Sequence, residues 1–293
     1  MCSGARKRKR ESLCQRQSTP PSADNQGMLS TPTLPQKVLA LDTSTDRMSV
    51  AVGVAGQAPL AQHDGPGGAQ SSASLIPMVQ ALVQQVGWTL AELDAIAFGC
   101  GPGSFTGLRT ACAVVQGLAV AARPGGVPVL PISTLQAVAV QGALQWQQAH
   151  GSLPAGPVMT VLDARMDEVY AACYRLEHSA AGFEAHAVDM GTDQPALVNP
   201  EQLPMPVSAS VLWAGNAQAV YAGRWPAAWE AVPSEAAWPS ASAVLQLAAA
   251  AWLRGEAVPA AQAQPMYVRN KVAQTTAERE ALRAGAPAAS AHP

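Results

Sequence analysis

The sequence predicts a mixed α/β protein made of two related halves, each a mixed β-sheet flanked by helices. Three observations carry this prediction. Apolar patterns through residue 131 follow the order β-β-β-α-β-α-β, and three successive strands before the first helix exclude an all-parallel sheet. A second series of three strand patterns opens at Val158. Both series begin with a strand that ends in an acid, Asp42 in the first and Asp163 in the second, as a duplicated unit would.

Val38 to Asp42 is a buried-strand pattern closed by the polar turn Thr43-Ser44-Thr45-Asp46, and Met48 to Val54 is the next apolar run. So short a turn makes the two strands antiparallel neighbours. Ala58 to His63 is a weaker third strand, and the Gly-rich Asp64 to Ala69 reads as a loop. From Ser72 the period becomes helical, with Leu75, Ile76, Val79, Leu82, Val83 and Val86 on one face and Gly87 as the stop. Pro77 fits such a helix only near its first turn. Asp94 to Phe98 is a short buried strand, and Leu108 to Ala122 a long, Ala- and Val-rich helix. Between them lie four glycines in the nine residues Gly99 to Gly107. Val127 to Pro131 is a further strand and Ser133 to Ala149 a further helix, followed by the linker Gly151 to Pro157. The second series consists of Val158 to Asp163, Glu168 to Leu176 and Phe183 to Met190. Pro195 to Pro239 is irregular and rich in Pro and Trp, and Ala241 to Arg254 is the last helix. The expected organisation is a basic, unstructured extension over 1–36 and a first lobe over 37–134 with partner-binding helices. A second lobe over 135–255 would return its last helix to the first, and a largely flexible tail would cover 256–293.

Hydrophobic residues are 48% of the chain and charged residues 13%, a composition that folds. The net charge of -2 conceals an asymmetry. Residues 1–36 hold six Lys/Arg against Glu11 and Asp24, so the remaining body is acidic and a poor independent ligand for nucleic acid. The basic segment is either a tail for RNA or anionic surfaces or, if translation begins at Met28, not part of the protein. No apolar h-region follows it, which excludes a secretory signal. Five scattered cysteines without a Cys-x-x-Cys pair indicate neither a disulfide framework nor a zinc site, and a reducing cytoplasm is the expected location. No apolar run reaches the roughly 18 residues of a membrane span, so no membrane partner is expected.

The glycine-rich loop has two readings. Backbone N–H groups at a helix N-terminus suit an anion, which makes Gly101, Gly103 and Ser104, with Asp42 for magnesium, candidates for a vestigial phosphate site. Alternatively, glycines simply let the helix pack closely on its sheet, and Asp42 accepts hydrogen bonds from its own turn, the favoured reading for that residue. The loop lacks the Gly-Lys-Ser/Thr ending of a Walker loop and the acid expected in a dinucleotide fingerprint. Asp163, Arg165, Asp167 and Glu168 form a second polar cluster, read as a salt-bridged strand connection. His63, His150, His178, His186 and His292 are isolated, which argues against a metallohydrolase. Ser104 misses a nucleophile elbow, and Cys100 reads as a small buried thiol. Apolar and small residues flanking the core stripe of the two N-terminal helices give a candidate partner interface of Leu75, Met78, Leu82, Gln85, Gly107, Ala113 and Gly117. The competing reading is a helix pair buried twice within its own chain.

Leu39-Ala40-Leu41-Asp42-Thr43-Ser44-Thr45, the glycine stretch through Gly107-Leu108-Arg109, Gln116-Gly117-Leu118-Ala119, Ile132-Ser133-Thr134-Leu135, Asp163 to Tyr170 and Pro265 to Ala273 together resemble the bacterial TsaB (YeaZ) family. The resemblance implies an actin/Hsp70/sugar-kinase-like (ASKHA) fold with two RNase H-like lobes. It also implies a part in making N6-threonylcarbamoyladenosine on tRNA. In that family the transferase is the paralogue TsaD, whose metal-binding histidines would fall at Ser71 and Leu75. Their absence implies a non-catalytic partner of TsaD, joined by the ATPase TsaE, meeting tRNA through the complex and able to self-associate through the same helices. The Asp42 turn also lacks the glycine of the superfamily phosphate loop, so no cofactor is expected on this chain, and ATP and magnesium in the assembled complex would be bound mainly by its partners.

Overall fold

A computed structural model describes residues 33–269 except 193 and 206. Met28, most of the basic extension, and Asn270 to Ala273 of the C-terminal motif lie outside the described residues.

The first sheet holds β1 (Val38–Asp42), β2 (Arg47–Gly53), β3 (Ala61–Pro66), β4 (Ala95–Gly101) and β5 (Val129–Ser133), in the order β3-β2-β1-β4-β5. β1 pairs antiparallel with β2 and parallel with β4, so the sheet is mixed, as expected. The second sheet contains β6 (Val158–Arg165), β7 (Glu168–Ser179), β8 (Gly182–Ala187), β9 (Ala196–Val198), β10 (Leu212–Gly215) and β11 (Ser234–Ala236). Its path is β11-β10-β6-β7-β8, with β9 added to β7. Read from the third strand of each series, both sheets have the same order and the same mixture of directions, which is the duplication seen in the sequence.

The helices are α1 (Ser71–Gln85), α2 (Phe105–Ala122), α3 (Thr134–His150), the single turn α4 (Ala217–Val220) and α5 (Ala241–Leu253). α1 and α2 cover one face of the first sheet, where Leu75, Val79, Leu82, Ala111 and Val115 meet Leu39, Leu41, Val50 and Phe98. On the other face α5 brings Val244, Leu245 and Ala248 against Val38, Ala40 and Ala97. α3 is buried on two sides: Ala137 and Val140 join that layer, while Leu135, Val138 and Ala143 pack on Val158, Leu162 and Tyr174 of the second sheet. α5, last in sequence, packs on β1, β2, β4 and β5 of the first sheet and on β8 of the second.

Several boundaries move for identifiable reasons. β3 includes Gly65 and Pro66, expected in a loop, because an edge strand tolerates a residue without a donor. β5 carries Pro131 on the opposite edge. α1 continues through Pro77 in its second turn, with the ring on the exposed side. α2 begins three residues early, at the N-cap Ser104, whose hydroxyl faces Gly107 N at 3.5 Å. At 18 residues α2 is long and apolar enough by composition to cross a membrane, contrary to the expectation of no such run. Its Leu108, Ala111, Val115 and Ala119 are buried in the first lobe, which accounts for that apolarity. The segment after α5, expected as a flexible tail, is instead packed over 256–269. Val258 exchanges two 2.8 Å backbone hydrogen bonds with Val129, and Ala260 and Ala263 are buried in the core under α2.

Two glycines of α2 make opposite predictions. A Cβ on Gly107 would sit 1.9 Å from the Thr43 carbonyl oxygen, whereas one on Gly117 would meet nothing within 4 Å. Gly107→Ala is expected to cost several kcal/mol or prevent folding, and Gly117→Ala to gain about 0.5–1 kcal/mol from the helix propensity difference, both read from urea denaturation midpoints.

Candidate functional site

The end of β1 and the glycine loop form one tightly knit unit. Asp42 is fully buried, and its Oδ1 accepts from Ser44 N at 2.8 Å and Ser44 Oγ at 2.7 Å. Its Oδ2 has no hydrogen-bond partner and lies against Gly99, where a Cβ would come within 1.7 Å. Burial pushes the carboxyl up to about 6, against the opposing pull of the Ser44 hydrogen bonds. Gly103 presses on the Ser44 backbone and Gly107 on Thr43, while Ser104 N donates to Ser44 O at 2.7 Å and Thr43 Oγ1 to Gly107 O at 2.8 Å. Gly101 N donates to Thr134 Oγ1, and the Met266 carbonyl occupies the space a Cβ on Gly101 would need. The structure thus brings Asp42, Gly101, Gly103 and Ser104 together, and close packing accounts for all four glycines, Gly99 against the Asp42 carboxyl and the other three against backbone. Cys100 is a buried thiol held up to about 12 by desolvation.

In the second lobe the polar cluster is a salt-bridged turn, as read. Arg165 pairs with Asp163 at 3.3 Å, and Asp163 also accepts from Tyr221 Oη at 2.8 Å. Arg224 bridges Asp167 and Glu201. Arg269, which sequence reasoning did not single out, donates to the carbonyls of Ala164 and Arg165 and to Glu168. Among the described residues no group of three or more His, Cys, Asp or Glu could hold a metal ion.

The interface candidates divide. Leu75 and Leu82 belong to the core under α1, and Gly107 is pressed on Thr43, so these three serve their own chain. Met78 is half-buried, and Gln85, Ala113 and Gly117 are exposed. Sequence reasoning set Ile76 on the core face of α1, where it is instead exposed because Leu75 and Val79 take the sheet-facing positions, and it missed the exposed Phe105, Arg109 and Val120. The signal was present: Phe105, Arg109, Ala113 and Gly117 recur every four residues on α2. α1 carries no charged residue and α2 only Arg109, so the outer surface of this pair is unusually poor in charge for solvent.

The raised Asp42 value has a definite sign. The native state holds this proton more tightly than an unfolded carboxyl, whose ordinary value is 3.8, so stability falls as pH rises through about 4 to 6 and the loss is complete above that. Relative to Asp42→Asn, which keeps an acceptor for Ser44, the wild type is expected to lose up to about 3 kcal/mol across that window in urea denaturation. Parallel pH profiles would refute the assignment.

A family model described as "TsaD: tRNA N6-adenosine threonylcarbamoyltransferase" matches residues 53–277. The tRNA threonylcarbamoyladenosine biosynthesis protein TsaB of Haemophilus influenzae is 34% identical over 244 residues, covering 80% of this chain and 94% of that protein. Its Escherichia coli namesake is 30% identical over 259 residues, covering 81% and 96%. Among solved structures, YeaZ from Pseudomonas aeruginosa is similar at a TM-score of 0.66 and 38% identity, over 80% of this chain and all of that one. On sequence, coverage and fold alike, the chain belongs to the TsaB (YeaZ) family.

Proposed function

We propose that this chain is a non-catalytic subunit of the machinery for tRNA threonylcarbamoyladenosine. It docks the transferase TsaD through the outer surface of α1 and α2 and supports transfer of threonylcarbamoyl from its adenylate to the adenosine next to the anticodon. The work is cytoplasmic, TsaE joins the complex, and tRNA is met through the assembly. The observation that carries the reading is the charge-poor face of two adjacent helices, continuous with a well-packed core. The names of the relatives support it, and so do Ser71 and Leu75, which stand where the transferase would carry metal-binding histidines and are buried here in α1's inner face. The fold reads as ASKHA-type, since α3 and α5 each pack on both of two sheets of like order. Asp42, Gly101, Gly103 and Ser104 act as structural residues, because Gly101 N and Ser104 N donate within the chain, Asp42 Oδ2 is sealed against Gly99, and Gly103 is pressed on the Ser44 backbone.

The test is threonylcarbamoylation of tRNA by TsaD and TsaE supplied with threonylcarbamoyl-adenylate, with and without this chain. Modification is expected to depend on the added chain, and the chain alone is expected to transfer nothing; transfer or nucleotide hydrolysis by the chain alone would make it an enzyme. Charges at buried Leu82 would unfold the lobe, so the interface is better probed by Ile76→Asp with Ala113→Asp, both at exposed positions. This pair is expected to leave the thermal midpoint within a few degrees while removing the complex from gel filtration and lowering modification at least about tenfold.

A further inference from the structure

α2 ends in an arrangement that a plain apolar face does not need. At its N-terminus the Arg109 guanidinium lies 3.9 Å from the centre of the Phe105 ring, and its Nε donates to Tyr267 Oη at 3.0 Å. The Phe105 and Tyr267 rings are 5.4 Å apart. All three side chains are exposed, Phe105 at 38% and Tyr267 at 46%. Tyr267 comes from the segment after α5, which Met266 N fastens to Cys100 O at 2.7 Å, so the cluster is assembled from two distant parts of the chain. Among the described residues no carboxylate lies within ion-pair distance of Arg109.

We infer that Phe105, Arg109 and Tyr267 form the anchor of the α1–α2 face, that it receives a carboxylate from a helix of the partner protein, and that this selects the partner over a second copy of the chain. The inference rests on the docking role proposed above. Stacking and the Tyr267 contact fix the guanidinium while leaving its two Nη groups open, a geometry suited to end-on recognition of a carboxylate. Aromatic residues and arginine at the centre of desolvated surfaces are the side chains that concentrate binding energy. A second copy meeting this chain through the same helices would offer Arg109 no carboxylate, because Ser71–Gln85 and Phe105–Ala122 contain neither Asp nor Glu. Symmetric pairing would bury Arg109 without a counter-charge, at a cost that a partner with an Asp or Glu at that point avoids. RNA is disfavoured as the occupant, since residues 33–269 hold nine Lys/Arg against sixteen Asp/Glu.

The experiment is calorimetric titration of TsaD from the same organism with the full chain at two salt concentrations, alongside sedimentation of the chain alone, for wild type, Arg109→Met and Tyr267→Phe. Thermal unfolding checks that each variant is folded. Arg109→Met is expected to weaken TsaD binding at least about 30-fold and to flatten its salt dependence, with self-association unchanged or stronger. Tyr267→Phe is expected to lose several-fold. If wild type binds TsaD and Arg109→Met binds equally well, or if hetero- and self-association weaken together, the anchor is wrong while the docking role stands. If wild type does not bind TsaD, the docking role fails and the anchor with it. A loss confined to tRNA binding would assign the cluster to RNA and overturn the inference.

Discussion

The approach of two backbone segments, 42–44 and 99–107, sets the geometry of the first lobe. Glycine at 99, 103 and 107 lets the loop before α2 lie directly on Asp42, Ser44 and Thr43, where any Cβ would fall within 2.5 Å of an oxygen. Hydrogen bonds from Ser104 N and Thr43 Oγ1 then fix the first turn of α2. Because a helix is stiff, fixing its first turn fixes which residues face outward along its whole length. The spacing of Phe105, Arg109, Ala113 and Gly117 becomes a surface only because Gly107 pins the opposite side. This contact buries the Asp42 carboxyl, and the desolvation that raises its proton affinity is only partly offset by two hydrogen bonds from Ser44.

The segment over 256–269 couples this face to the second lobe. It leaves the edge of the first sheet at Val258, crosses beneath α2, where Cys112 Sγ and Gln116 Nε2 both donate to Ala263 O, and reaches the β6–β7 turn through Arg269. That turn holds Arg165, Met166 and Asp167 at φ of 62, 57 and 60°. Left-handed backbone costs an L-residue about 1–2 kcal/mol. Carbonyls that a left-handed turn leaves outward are bonded by Arg269, and Arg224 holds Asp167. The strap and the turn therefore stabilise each other, and Tyr267 is held on α2 by anchors at both ends.

Periodicity made the core legible. Strand order, the duplication and the buried stripe of α1 follow from apolar spacing, because burial imposes that spacing directly. Contacts between backbones distant in sequence were not legible. Nothing local says that Gly107 meets Thr43, or that a polar-looking stretch after Gly255 is packed; both depend on where the fold brings the chain back. The same limit divided the interface candidates. Leu75 and Leu82 share a helix with Ile76, and spacing alone does not say which of two apolar faces is claimed by the sheet. Arg109 was visible in its motif but acquires meaning only once Phe105 and Tyr267 are seen around it.

The two lobes cover their sheets differently. A sheet must be covered on both sides, and in the first lobe α1 and α2 provide the outer cover. At the corresponding places in the second lobe the short strand β9 and irregular chain precede β10, and the single turn α4 follows it. Aromatic side chains supply the cover instead: Trp213, Trp229 and Tyr221 are buried on Met159, Val161 and Cys173, with Trp225 edge-on to Trp213. Aromatics bury about 150–250 Å² each, so a few residues replace two helices. What they cannot supply is a long, regular surface onto which a second pair of helices could settle. The two lobes share a sheet order but differ in their cover, and only the first presents a pair of long helices on its outer side among the described residues.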